Sequence, residues 1–340
     1  MSLMHPLPKY TVDLDAAPED RWKQVVQDYK HLFPAVIQKA EADLREALGR
    51  FPAWLMGNLT CGVLRMASML GGVMYKEELK AIAQQAGISL GKLIFMQLSY
   101  ESAAACTSVL IPGSDGTIKH GRSMDWHLTE LTDLTIEVEF VRGGEIQFVG
   151  TTWAGYVGLL TVMRPGCYSL SVNYRRNAKP SGLRNLWNAM TKCWPVGFLV
   201  RYCVEEEDYS FWECAEVLKI TPLISPVFFT LGGVSQNEGV IIARDRKSVV
   251  HERCMESDSL PSGCGGMVQT NHDCGHSDCD NILWSYERWE VAEKWMLSQP
   301  PGGCCEKDLW TLLDMEFIRN EHTIYRNVMC AASGLYETKM

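Results

Sequence analysis

The sequence predicts an α+β fold, with strands and helices segregated along the chain rather than alternating. Three observations carry this. Residues 1–105 show mostly helical spacing, the grain changes to strands from Cys106, and helices and strands then return in blocks to the C-terminus. An element that is apolar on one face must bury that face on another element, so such blocks suit two packed sheets between helical layers. The 340 residues are 46% hydrophobic and 21% charged, enough for a sizeable core. Net charge is -9 with no strong clustering of basic residues, which argues against nucleic acid as a partner. No uninterrupted apolar stretch reaches the roughly 18–20 residues of a membrane span.

Taken in order, Pro18-Glu19-Asp20 supplies a proline and two acids where a first helical turn wants them. Trp22, Val25, Val26, Tyr29, Leu32 and Phe33 then repeat at helical spacing, and Pro34 is expected to kink or end that helix at Phe33. Val36, Ile37, Ala40, Leu44 and Leu48 form a second helical stripe, with Gly49 as its stop. Ala53 to Tyr75 is unusually apolar, carries Arg65 as its only charge and includes Met56, Met66, Met69 and Met74. It reads as core packing or as a soft lipid-facing or acyl-accepting surface. Glu77 to Ala86 is a more polar helix, and the chain restarts after Gly87-Ile88-Ser89-Leu90.

From Cys106, Thr107 to Ile111 reads as a strand buried on both faces, Gly113-Ser114-Asp115-Gly116 as a turn, and Ile118 as the start of a return strand ending near Gly121-Arg122. Thr135 to Arg142 alternates, Gly143-Gly144 is a two-residue hairpin turn, and Ile146 to Thr152 completes the pair. Val157–Val162 and Tyr168–Tyr174 extend the sheet. Helices follow at Leu183–Met190, Gly197–Glu205 and Phe211–Ile220, then strands at Val227–Leu231 and Val240–Arg244. Trp284–Leu297 and Lys307–Phe317 are helical, and His322–Met329 is a late strand.

The strand-turn-strand unit brings Cys106, Arg122 and Asp125 to neighbouring strand ends. A guanidinium beside a thiol favours the thiolate and so a readier nucleophile. A carboxylate three residues after the arginine can fix that arginine or hold an amine. The residues alone leave a buried structural cysteine with an ordinary Arg-Asp ion pair equally open.

Cys106-Thr107-Ser108 followed by a turn and Gly121-Arg122-Ser123-Met124-Asp125-Trp126 resembles the start of the catalytic subunit in the acid ceramidase and N-acylethanolamine-hydrolysing acid amidase family. These are N-terminal-nucleophile cysteine hydrolases related to the choloylglycine hydrolases. The similarity continues through Thr151-Thr152-Trp153-Ala154-Gly155-Tyr156-Val157-Gly158, Thr221-Pro222-Leu223-Ile224, Leu231-Gly232-Gly233 and Gln269-Thr270-Asn271, from Tyr10-Thr11-Val12-Asp13-Leu14 to Thr323-Ile324-Tyr325.

The resemblance implies a four-layer αββα fold and self-cleavage of the Ala105-Cys106 bond. A helical segment 1–105 (alpha subunit) and a catalytic domain 106–340 (beta subunit) would then form a heterodimer. It also implies hydrolysis of lipid amides, N-acylethanolamines or ceramides, to a fatty acid and an amine, without a cofactor. Cleavage would free an α-amine on Cys106 with an ordinary pKa of about 7.7–8.0, able to serve as base for its own thiol.

Arg122 and Asp125 match the family's site positions, Asn271 its oxyanion donor and Arg288 its late arginine. Asn173, Tyr174 and Trp126 are expected to meet the substrate. The family's Asn/Asp-Glu-Arg is Asn173-Tyr174-Arg175 here, which leaves a weakened, lipid-binding homologue open beside the hydrolase, and acyl transfer to an amine is a further alternative.

The family is usually lysosomal, yet Met1 to Pro8 shows no basic and apolar signal segment, so a cytoplasmic location stands as the alternative. Contact with a lipid surface is compatible with the apolar stretch 53–75. Thirteen cysteines, mostly single within helical or strand patterns, read as reduced thiols. Cys264, His272, Cys274, His276 and Cys279 form a cluster whose spacing fits no regular zinc pattern, so it reads as an elaborated loop and no metal is expected.

Overall fold

The computed structural model describes residues 7–48, 75–99, 105–175, 193–273, 281–302 and 304–340. The apolar stretch 53–75, expected as core packing or an acyl-accepting surface, lies outside them in all but Tyr75, as does the helix expected at 183–190. Thirteen strands and nine α-helices are named here in chain order.

The N-terminal segment opens with a strand, β1 (Lys9–Asp13), before α1 (Lys23–Tyr29), α2 (Phe33–Leu48), α3 (Lys76–Ala86) and α4 (Leu90–Ser99). Its helical reading is thereby corrected at the first element. β1 pairs in parallel with β4 (Thr135–Arg142), Val12 opposite Phe140, so residues before Cys106 complete a sheet built by residues after it. Pro34 does not end a helix at Phe33. The first helix stops at Tyr29, and Pro34 sits in the first turn of α2, where its missing N–H has no intrahelical carbonyl to bond. Helix α3 carries Glu77 and Glu78 in its first turn and is closed by Gly87 at φ +67°.

Beyond Cys106 run β2 (Ala105–Pro112), β3 (Ile118–Asp125), β4, β5 (Glu145–Trp153), β6 (Thr161–Arg164) and β7 (Tyr168–Tyr174). The expected strand at 157–162 is reduced to β6 because residues 154–160 form turns and irregular backbone, with Gly155 at φ +87°. Gly143 and Gly144, at φ +59° and +81°, make the tight β4–β5 turn that glycine alone adopts without strain. Helices α5 (Val196–Glu205) and α6 (Phe211–Ile220) follow, the latter opened by a Ser210–Glu213 capping box. Then come β8 (Val227–Gly232), β9 (Gly239–Arg244), β10 (Val249–Cys254), α7 (Met255–Asp258), β11 (Met267–Gln269), α8 (Ser285–Ser298), α9 (Glu306–Leu313), β12 (Thr323–Cys330) and β13 (Leu335–Lys339).

Two sheets result, one of eight strands in the order β1-β4-β5-β6-β7-β8-β9-β10 and one of five, β11-β2-β3-β12-β13. They face each other where β2 and β12 meet β7 and where β2 and β3 meet β8. Helices α5 and α6 cover the eight-stranded sheet, and α8 and α9 cover the five-stranded one. This is the αββα layering the resemblance implied. The central hairpin β2–β3 is therefore buried on both faces, as the aliphatic run Val109-Leu110-Ile111 of β2 requires, and the polar side chains of β3 are buried with it.

A buried charge cluster locks the N-terminal segment onto the rest. The Glu78 carboxylate accepts hydrogen bonds from Trp22 Nε1 (2.5 Å), Arg21 Nη1 (2.9 Å), Arg201 Nη1 (2.7 Å) and Arg201 Nη2 (2.9 Å). The Arg201 guanidinium lies over the Tyr75 ring at 3.9 Å and near Trp22 and Phe140. Burial pushes the Glu78 carboxyl up, but Arg201, Trp22 and Arg21 outweigh it and hold it below its ordinary value.

Candidate active site

In the β2–β3 hairpin Cys106 lies opposite Met124, Ser108 opposite Arg122 and Leu110 opposite His120. Directly opposed residues share a face and neighbours along a strand alternate. Ser108, His120 and Arg122 accordingly reach β7 in the layer between the sheets. Thr107, Ser123 and Asp125 look the other way, toward Arg288 on α8 and the Ile318 carbonyl. Arg122 and Asp125 thus stand on opposite faces, and the ordinary ion pair their spacing allows is not formed.

Cys106 is gripped through its backbone. Its N–H donates to Asn271 Oδ1 at 2.8 Å. Its carbonyl accepts from Arg288 Nη1 at 2.5 Å and Asn173 Nδ2 at 3.2 Å. The Sγ atom is 3.7 Å from Met124 Sδ, and Arg122 Nη2 reaches that same sulfur at 3.7 Å. Burial pushes the thiol up, Arg122 and Arg288 pull it down, Asp125 adds to the rise, and the net shift is upward. The expectation of a thiol depressed by its arginine is corrected here. Desolvation exceeds the pull of the guanidinium, so the thiol of the intact chain stays protonated and needs a base.

Arg288 is the hub. Nη2 donates to Asn271 Oδ1 (2.8 Å) and Ile282 O (3.1 Å), Nε to Leu283 O (2.8 Å), and Nη1 to Thr107 Oγ1 (3.0 Å) as well as Cys106 O. Leu283 and Trp284 hold φ of +41° and +57°, each a strain of about 1–3 kcal/mol for a residue with a Cβ. That strained turn aims two carbonyls at Arg288.

Asp125 Oδ1 accepts from Thr323 Oγ1 (2.7 Å) and Ser123 Oγ (3.0 Å), while Oδ2 lies 3.8 Å from Arg288 Nη1 with no hydrogen bond among the described residues. Burial raises the Asp125 carboxyl above its ordinary value despite Arg288 and these hydroxyls.

Asn271 turns its carbonyl oxygen, not its nitrogen, toward Cys106. Its Nδ2 donates to Tyr174 O at 2.8 Å, and its backbone N–H to Ser285 Oγ at 2.9 Å. Position 174 makes this bond through its backbone carbonyl, so the bond does not depend on the side chain there. Arg175 brackets Asp273 through Nε (2.7 Å) and Nη2 (2.8 Å) and reaches Asp245 through Nη1 (2.7 Å), tying the end of β7 to the loop that bears Asn271. Trp126 is buried edge-on against Trp153, 5.8 Å between ring centroids, in the same apolar cluster as Cys106 and Met124.

Cys106, Arg122, Asp125, Asn173, Asn271 and Arg288 are thereby brought together from five separate stretches of chain. Sequence reading missed His120, Ser108 and Ser171, whose signal was the period-two alternation that puts polar residues on the face of Arg122. Of the Cys/His cluster, His272 hydrogen-bonds Ser285 Oγ at 2.8 Å and has its pKa lowered to about 4 by burial and by Arg288. Cys264 packs with Cys304 under α8 and α9, and Cys274, His276 and Cys279 lie outside the described residues.

An N-acylethanolamine-hydrolyzing acid amidase of Mus musculus is 32% identical over 338 residues, covering 96% of this chain and 86% of that protein. The chain belongs to this family. The Caenorhabditis elegans member is 30% identical over 332 residues, covering 94% of this chain and 88% of its own length. A related acid ceramidase of Pan troglodytes is 28% identical over 358 residues, covering 98% and 86%. A solved structure of the Caenorhabditis elegans ortholog superposes with TM-score 0.56 at 32% identity, covering 68% of this chain and 94% of that one. A family model described as the beta subunit of N-acylethanolamine-hydrolyzing acid amidase matches residues 5–60. Its label therefore falls on the segment that precedes Cys106.

Proposed function

We propose that the chain cuts itself between Ala105 and Cys106 and then hydrolyses the amide bond of lipid amides, N-acylethanolamines or ceramides, to a fatty acid and an amine. The observation that carries this is the grip on the Cys106 nitrogen. Its hydrogen bond to Asn271 Oδ1, held in place by Arg288, survives cleavage as a seat for the new α-amine.

In this reading the amine takes the proton of the buried thiol, and the thiolate forms beside Arg122 and Arg288, which favour its charge. Attack on the amide carbon places negative charge on the carbonyl oxygen. The α-ammonium returns its proton to the leaving amine, and the acyl group stays on sulfur as a thioester. Water, activated by the same amine, releases the fatty acid and restores the thiol. Asp125, through Oδ2, orients the amine. Asn271, whose amide nitrogen donates to Tyr174 O in the intact chain, is assigned as the donor to the oxyanion. Asn173 holds the Cys106 carbonyl, while Tyr174 and Trp126 are assigned to the acyl and head-group side.

The relatives' names, acid amidase and acid ceramidase, support an acidic compartment such as the lysosome and a lipid amide substrate, which this reading has the protein meet at a lipid surface. No helix among the described residues is long and apolar enough to cross a membrane.

The test offers wild-type protein and Cys106→Ala a long-chain N-acylethanolamine and a ceramide, measures released fatty acid, and traps the acyl group on Cys106 of the wild type by rapid acid quench and mass spectrometry. A thioester on the peptide that begins with Cys106 is the expected result. Release of fatty acid at wild-type rate by Cys106→Ala would overturn the reading.

A further inference from the structure

His120 stands two residues before Arg122 on β3, and both side chains enter the layer between the sheets. The chemistry above does not use it. The ring is fully buried and bonded at both nitrogens, Nδ1 with Ser169 Oγ at 2.9 Å and Nε2 with Ser171 Oγ at 2.8 Å. Ser171 Oγ lies 2.8 Å from Ser108 Oγ, and Ser108 donates to Asn173 Oδ1 at 2.7 Å.

The protons in this chain can be counted. Asn173 presents Nδ2 to the carbonyls of Cys106, Gln269 and Thr270, and its Oδ1 accepts from Arg122 Nη1 at 2.6 Å, so its partners define which end is which. A hydroxyl has one proton. Ser108 spends its proton on Asn173, so Ser171 must donate to Ser108, and the hydrogen that Ser171 accepts must sit on His120 Nε2. In the neutral ring Nδ1 then accepts from Ser169. Ser169 is also 3.1 Å from Gly232 O, but it can donate there only when Nδ1 carries a proton, in the charged ring or in the opposite tautomer, so the Nε2–H tautomer gives up this longer bond. Burial first, and Arg122 second, lower the His120 pKa to about 3, which opposes that charged state.

The opposite tautomer would turn the Ser171 proton toward the ring. Ser108 Oγ would then keep one donor, Arg122 Nη1 at 3.4 Å, in competition with the 2.6 Å bond from that nitrogen to Asn173.

We propose that His120 is a positioning residue of the Cys106 site. Held as the neutral Nε2–H tautomer, it sets the proton direction of the Ser171–Ser108 relay and so keeps Asn173 on the Cys106 carbonyl and Arg122 beside the thiol. The proposal rests on the reading of Cys106 as nucleophile.

The experiment compares His120→Phe, His120→Gln, Ser171→Ala, Ser169→Ala and the double variant His120→Phe/Ser171→Ala, using cleaved protein. Each is measured for kcat and KM on an N-acylethanolamine, for alkylation of Cys106 by iodoacetamide, and for melting temperature. His120→Phe and Ser171→Ala should each lower kcat and alkylation by about tenfold with KM little changed, the usual sign of misplaced reacting groups. The double variant should be no worse than either single one, because both cut the same relay. His120→Gln, which restores an N–H donor, should recover most of the loss, and Ser169→Ala should stay within about twofold of wild type. Additive losses in the double variant, or losses in melting temperature with kcat and alkylation unchanged, overturn the proposal. Ser171→Ala removes one oxygen atom, so it remains informative if His120→Phe does not fold. Loss of activity in Cys106→Ala with none in Ser171→Ala would sink His120 alone, whereas an active Cys106→Ala would sink the nucleophile.

Discussion

Glu78→Gln tests whether the N-terminal segment is locked by charge or merely by packing. The substitution keeps the side chain's size but leaves Arg201, fully buried among Trp22, Tyr75 and Phe140, without its buried carboxylate partner. Glu205 remains 3.4 Å from Arg201 Nε but makes no hydrogen bond to it, so it offsets only part of the lost charge. Breaking a buried pair by removing one partner costs about 3–5 kcal/mol. Unfolding entropy of about 2.1 cal/mol/K per residue makes 1 kcal/mol worth about 1.4 °C over this chain, so the melting temperature should fall by about 4–7 °C.

The pH dependence has a definite sign. Glu78 titrates below its ordinary value in the folded protein, so its contribution is fully present above that ordinary value and is lost only as pH falls through the lower folded one. The gap between wild type and Glu78→Gln should therefore persist from neutral to mildly acidic pH and close only at stronger acidity. Glu78→Leu/Arg201→Met, which replaces both charges with apolar groups, should recover most of the loss. Differential scanning calorimetry across pH reads all of this. A Glu78→Gln protein that melts within 1 °C of wild type would refute the reasoning, as would a double variant worse than the single.

Further outcomes follow from the site. Asn271→Ala should lower kcat by about 10²–10³ through loss of an oxyanion donor, while alkylation of Cys106 in pre-cleaved protein is slowed less than by Asp125→Asn; equal slowing by both would reassign Asn271 to the amine alone. Arg175→Met should free the loop at 271–273 and lower kcat by about tenfold, read by steady-state kinetics beside hydrogen exchange of residues 270–273; unchanged exchange would contradict it. Arg288→Lys keeps the charge but cannot span five acceptors with a rigid fork, so it should block cleavage more than it lowers melting temperature; normal cleavage would remove the hub role.

Much of the architecture was legible because local chemistry and tertiary demand agree. The Gly143-Gly144 turn is written in two residues that tolerate positive φ, and β2 in an apolar run that only a doubly covered strand needs. The missed strands β1, β10, β11 and β13 lie at sheet edges, where a short segment takes its conformation from one partner and carries little pattern of its own. Cys106, Arg122 and Asp125 could be placed together because a single hairpin holds them. The bonds from Arg288 to Cys106 and from Arg122 to Asn173 cross long stretches of sequence and follow from how the two sheets and α8 pack, which no local spacing encodes. The direction of the Cys106 thiol shift was misread for a related reason. Sequence names the neighbouring charge, but the depth of burial that outweighs it is a property of the folded layer.

The central claim is that Cys106 becomes a chain terminus. Intact mass measurement with N-terminal sequencing, on wild-type protein and Cys106→Ala, tests it most directly. The account predicts two fragments from wild type, one ending at Ala105 and one beginning at Cys106, held together under native conditions by the β1–β4 pairing and the Glu78–Arg201 pair, and a single uncut chain from the variant. A wild-type chain that stays whole yet hydrolyses lipid amides, or a Cys106→Ala chain cut at the same bond, would contradict it.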